Sequence, residues 1–157
     1  MCVSYPTAAI WIARADSLNV REGRGTCSTK HALLARLAAE QQIPIDLVIG
    51  IYEMNGQNTP GVGEVIARYG LAAIPEAHCY LMHGDDRIDV TRNINTAEAI
   101  ARFLYEQRIS PDQIGAYKIS MHQGFIREWL VSTQKDHILS PEQVWEIREE
   151  CIAALSK

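Results

Sequence analysis

Residues 78–91 read His-Cys-Tyr-Leu-Met-His, then Gly-Asp, then Asp-Arg-Ile-Asp-Val-Thr, a strand-length run on each side of a turn pair. Glycine in the first position of a two-residue loop suits a type II′ turn, which needs positive φ there. Such a loop pairs His83 with Asp86 and, counting back along both strands, sets Tyr80 opposite Asp89. Side chains alternate faces with a period of two, so Asp89 shares a face with Tyr80 and lies diagonal to His78. A four-residue loop also keeps His78 and Asp89 on one face. An odd loop without a bulge separates them.

The chain around this hairpin has 157 residues, enough for one domain with its own core. A hydrophobic content of 47% and a charged content of 22% are those of an ordinary globular protein. The net charge of −4 offers no electrostatic footprint for nucleic acid or anionic lipid, so neither is expected as a partner. No run of 18 apolar residues suits a membrane span, and the first residues lack the basic start of a signal peptide. A cytoplasmic protein is expected. Its four cysteines, Cys2, Cys27, Cys79 and Cys151, are scattered without a C-x-x-C pair, which points to free thiols.

Periodicity predicts a short helix at 7–15, a loop at 16–26, and a helix from Cys27 with Leu33, Leu34, Leu37 and Ala38 as its apolar face. The helix should stop before Pro44. An apolar, β-branched strand is expected at 45–54, turns at 55–63, and a short helix at 64–70 closed by Gly70. After the hairpin, helices are expected at 96–108, at 111–133 behind Ser110-Pro111, and at 141–156 behind Ser140-Pro141. The reading is a single α+β domain over 1–157, with a core at about 20–92 and a helical portion at about 96–157.

Cys27 stands where a glycine-punctuated loop becomes a helix, in Gly-Arg-Gly-Thr-Cys-Ser-Thr-Lys-His. A cysteine is a nucleophile only as thiolate, and an unperturbed pKa of ~8.5 leaves little of it at neutral pH. A helix start supplies unpaired N–H groups and about half a positive charge, both favouring the anion. Thr26 is suited to the N-cap, and Gly25 lets another group approach. A thiol enzyme also needs an imidazole and a group that orients it. The hairpin offers His78 and Asp89.

Gly-Thr-Cys-Ser-Thr-Lys-His-Ala-Leu-Leu opening a helix, followed by an apolar strand, "HCYL" and "RIDVT", resembles the transglutaminase-like superfamily, a branch of the papain-like thiol enzymes. The match covers roughly residues 20–92. The resemblance implies an α+β fold with the cysteine helix packed on a small antiparallel sheet, and further helices toward the C-terminus. By motif order it carries Cys27, His78 and Asp89 into a catalytic triad. It implies acyl transfer from an amide- or thioester-bearing substrate and no cofactor or metal. This chain has Cys79-Tyr80 where many relatives have Ala-Trp, and its His-to-Asp interval is short. The second oxyanion donor is open, with Trp11 and Asn19 as candidates.

Two other readings stand beside this one: a binding or scaffold domain that keeps the three residues without turnover, and a zinc protein using Cys27, His31 and His78. A His-Cys-x5-Arg phosphatase loop is set aside because seven residues separate Cys79 from Arg87. A P-loop is set aside because Lys30 follows Thr29 rather than glycine. His31 is otherwise a helix-surface or core histidine, Cys79 should be buried on the opposite face from His78, and Trp129 and Trp145 should belong to the core. The segment 54–63 is a candidate mobile flap beside the cleft.

Overall fold

Thr26 opens the first described helix from an extended conformation, with φ −70° and ψ 167°, and its hydroxyl accepts the Thr29 N–H at 3.3 Å. The structure, a computed structural model, describes residues 26–91, 100 and 102–155. The expected helix at 7–15, nearly all of the loop at 16–26, and Trp11, Asn19 and Cys2 lie outside the described residues. Helix α1 (Cys27–Glu40) ends at Gln41, and Gln42 reverses the chain with φ 57° just ahead of Pro44. Strand β1 (Asp46–Met54), helix α2 (Gly63–Arg68), and strands β2 (Ile74–His83) and β3 (Asp86–Ile88) follow. Strand β4 (Tyr105–Ile109), a 3-10 turn (Pro111–Ile114), and helices α3 (Ala116–Ser132) and α4 (Pro141–Ala154) complete the order.

The fold is mixed α+β, with a small antiparallel sheet ordered β3-β2-β1-β4. The hairpin register is Leu81 with Ile88, Met82 with Arg87 and His83 with Asp86. Gly84 takes φ 58° and Asp85 does not follow it to positive φ, which is the type II′ pattern. β1 and β2 are buried along nearly their whole length.

Contacts divide the chain into two compact units. The first holds the described residues up to Ile49, with His78–Thr91 and Gln107–Tyr117. Within it α1 packs against the 3-10 turn. The second holds Gly50–Ala77, the described residues up to Glu106, and those from Lys118 on. Its core gathers Tyr52, Met54, Val65, Ile66, Ile74 and Ile147, with α2 packed on α4. α4 starts on a capping box in which Ser140 Oγ accepts the Gln143 N–H at 3.2 Å and Gln143 Oε1 accepts the Ser140 N–H at 2.8 Å.

Four expectations need correction. The buried stripe of α1 is Ser28, His31, Ala32, Ala35 and Ala38, while Leu34 and Leu37 are exposed. Small side chains repeating at three and four residues let a neighbour come close, and close packing outweighed the larger apolar area of the leucines. Tyr105–Ile109 is strand, where a helix at 96–108 was expected. The Leu104 N–H donates to the Ile51 carbonyl at 2.7 Å, and Arg108 lies 3.2 Å from Asp46, so pairing with β1 overrides the helical composition. The helix expected at 111–133 is a 3-10 turn and then α3, broken at Gly115. β2 also starts four residues before the run at 78–83, with Pro75 near the strand's beginning, where proline is tolerated.

Gly50 lies in the middle of β1, and a Cβ built there would come within 2.3 Å of the Phe103 ring. A rigid aromatic cannot yield that space without moving. Gly50→Ala should therefore destabilise the protein by about 1–3 kcal/mol, read as a lower urea midpoint at unchanged slope.

Candidate active site

The first unit brings Cys27, His78 and Asp89 together. Cys27 occupies the first position of α1, directly after the Thr26 cap, and is partly exposed. His78 sits within β2 and is 8% exposed. Asp89 follows the last residue of β3; extending the observed register by one residue puts it opposite Tyr80 and diagonal to His78. His78 Nε2 and Asp89 Oδ2 are 2.6 Å apart, and the imidazole is also hydrogen-bonded to the Cys27 side chain.

Asp89 divides its two oxygens. Oδ2 faces His78, while Oδ1 accepts the Thr91 N–H at 3.0 Å and the Thr91 hydroxyl at 2.9 Å. The strand-end cap and the histidine partner are the same carboxylate. Its orientation is fixed from both sides.

Electrostatics follow from this arrangement. Burial pulls the His78 pKa down, but the hydrogen bonds and charges of Asp89 and Cys27 outweigh it and push it up to about 9. Burial would raise Asp89, yet the bond and charge of His78 and the two Thr91 bonds hold it well below the usual carboxylate range. Folding thus favours the charged form of both groups. The His78 contribution to stability is complete below pH 6.5 and fades as pH rises through about 9. The Asp89 contribution is present above its ordinary value of 3.8 and is lost as pH falls through its depressed pKa.

His31 takes the core place that was one of the two expected for it, and its partners are the part that the sequence did not show. It is fully buried, its Nδ1 lies 2.9 Å from the Cys27 carbonyl, and its Nε2 accepts the Val90 N–H at 3.1 Å. Its spacing of four from Cys27 was the available signal, but that signal is useful only once the buried face of α1 is known. With both ring nitrogens on backbone groups, His31 is not poised as a zinc ligand. Among the described residues, no set of three His, Cys, Asp or Glu is arranged to hold a metal ion.

Cys79 and Cys151 are buried free thiols, and burial pushes Cys151 up to about 11. Arg87 stacks over the Tyr80 ring at 4.9 Å instead of reaching toward a phosphate loop at Cys79. Trp129 is buried in the second unit and Trp145 packs beside it. The segment expected as a mobile flap is pinned by side chains. Asn55 Oδ1 accepts the N–H groups of Gln57 and Asn58, Asn58 Nδ2 donates to the Glu53 carbonyl at 2.8 Å, and Tyr52 and Thr59 join hydroxyls at 3.1 Å. Asn55, Gly56 and Gln57 help line a cavity of about 510 Å³ with Trp129 and Lys135, within the second unit. Among the described residues no helix is long and apolar enough to cross a membrane.

In comparisons with protein-family models, curated proteins and solved structures, the chain matches none.

Titration of the His78 ring by NMR should give a midpoint near 9. Asp89→Asn, which keeps the shape and removes the charge, should lower that midpoint by roughly one unit or more. A wild-type midpoint near the ordinary 6.5 would remove Cys27 and Asp89 as its effective partners.

Proposed function

We propose that the protein is a cysteine-dependent acyl-transfer enzyme of transglutaminase-like type, acting on an amide or thioester through Cys27, His78 and Asp89. One observation carries the reading: a single imidazole is hydrogen-bonded both to the thiol at a helix start and, at 2.6 Å, to a carboxylate. An imidazole so placed stores the thiol proton, which leaves a thiolate–imidazolium pair as the resting state.

The chemistry then runs in two halves. The Cys27 thiolate attacks the carbonyl carbon, the S–C bond forms, and the carbonyl electrons move onto oxygen. N–H groups of the first turn of α1, that of Cys27 included, face this developing charge. Collapse breaks the bond to the leaving amine or thiol, which takes the proton from His78. With Nε2 engaged by Asp89, Nδ1 is the nitrogen left for that transfer. Water, or an acceptor amine, next gives a proton to His78 as it adds to the thioester. The second collapse expels the thiolate and releases acid or new amide. Asp89 holds the ring orientation and stabilises the imidazolium throughout.

The binding-domain reading keeps the same fold without turnover, and reactivity separates the two. Because Cys79 and Cys151 are buried, preference for Cys27 alone decides nothing. Iodoacetamide labelling of Cys27, followed by peptide mass spectrometry, should instead show an apparent pKa well below ~8.5. His78→Ala should return it to that ordinary value and slow turnover of an acyl substrate by roughly 10²–10⁴-fold. A wild-type profile superimposable on that of the unfolded chain would sink the enzyme reading.

A further inference from the structure

His31 spends both polar atoms on the backbone that flanks the site. A carbonyl only accepts and an amide N–H only donates, so the ring carries its proton on Nδ1, toward the Cys27 carbonyl, and accepts the Val90 N–H at Nε2. One contact grips the residue that bears the thiol. The other grips the residue directly after Asp89. The ring also stands edge-on to His78, with centroids 6.1 Å apart and planes at 82°, and its Nε2 lies 3.6 Å from Asp89 Oδ1. Full burial leaves no water to replace either bond.

We propose that His31 is a positioning residue: it clamps the first turn of α1 to the strand end that carries Asp89, and so holds the Cys27 thiol in line with His78. The proposal rests on the Cys27–His78–Asp89 reading for what is being positioned. Helix and strand end belong to separate stretches of chain, and a thiol displaced by 1 Å loses roughly 10²-fold in such chemistry. A hydrocarbon at position 31 could fill the space but could not bond both backbone groups. A protonated ring could not either, since its Nε2–H would oppose the Val90 N–H. Burial, which lowers the His31 pKa against the raising effects of the Cys27 carbonyl and Asp89, acts with the geometry, as do the charges of His78 and Lys30.

The test compares the full-length wild type with His31→Ala and His31→Gln, using two readouts. His31→Ala should raise the midpoint of Cys27 carbamidomethylation by about one pH unit, cut its rate at pH 6 roughly 10- to 100-fold, and lower the His78 NMR midpoint. His31→Gln, whose amide oxygen can accept the Val90 N–H, should recover part of each change. Folded variants with the wild-type labelling profile and His78 midpoint would overturn the proposal, while selective wild-type Cys27 reactivity would keep the acyl-transfer reading standing. Conversely, an ordinary wild-type thiol together with a His78 midpoint that moves in His31→Ala would retain the clamp and remove the enzyme. If His31→Ala does not fold, the wild-type imidazole spectrum decides: a proton on Nε2 of His31 at neutral pH would overturn the clamp.

Discussion

The 2.6 Å hydrogen bond between His78 and Asp89 joins two groups that burial would discharge if either stood alone. Desolvation lowers a histidine and raises an aspartate; paired, each reverses the other's shift. The pair is also what a misregistered hairpin would lose. β3 is only three residues long, so its ladder with β2 supplies few bonds to resist slipping. A slip of one residue turns Asp89 to the other face and strands a largely buried imidazole, at a cost of about 3–5 kcal/mol for a broken buried pair. Gly84, at positive φ, supplies the tight turn that makes the correct register reachable. Turn, register and charge pair are one interaction seen at three scales.

Two histidines with ring centres 6.1 Å apart show how partners rather than residue type set the chemistry. His78 meets a carboxylate and a thiol side chain, both of which favour its cation, and its pKa rises. His31 meets a carbonyl on one side and an N–H on the other, and burial lowers its pKa. The first can store and release a proton. The second is useful only if it does neither, because protonation would break one of its two bonds. His122 shares with His31 a pKa lowered by burial and a backbone carbonyl partner, donating from Nε2 to the Pro75 carbonyl at 2.9 Å. It lies in the second unit, between the Pro75 carbonyl of β2 and the Trp145 ring of α4.

Local rules made part of this legible in the sequence. Gly84-Asp85 carries its turn type and register because positive φ and a period of two leave few alternatives. Thr26 and Ser140 mark helix starts because a hydroxyl can satisfy an orphan N–H within three residues. The misreadings depend on partners distant in sequence. Tyr105–Ile109 has helical composition, and only the Ile51 carbonyl and Asp46 across the sheet make it a strand. Its charged, exposed side chains are what an edge strand carries to discourage pairing with another chain. The leucine stripe of α1 looked like the core face because periodicity weighs area, whereas the alanine stripe wins on closeness of approach.

Asp89 shows why the site was more legible than the core around it. Asp89 is at once the strand-end cap of Thr91 and the partner of His78. The carboxylate has two oxygens, and the structure uses one for each task. Capping Thr91 fixes the plane of the carboxylate, and a fixed plane is what makes the remaining oxygen a good orienter of an imidazole. His31 likewise joins two elements, with Nδ1 on the Cys27 carbonyl and Nε2 on the N–H of Val90, the residue after Asp89. In the proposed reaction, structural hydrogen bonds of this kind would supply the rigidity that proton transfer needs. A residue with an ordinary structural partner is therefore not thereby removed from a site; the question is which atom that partner leaves over.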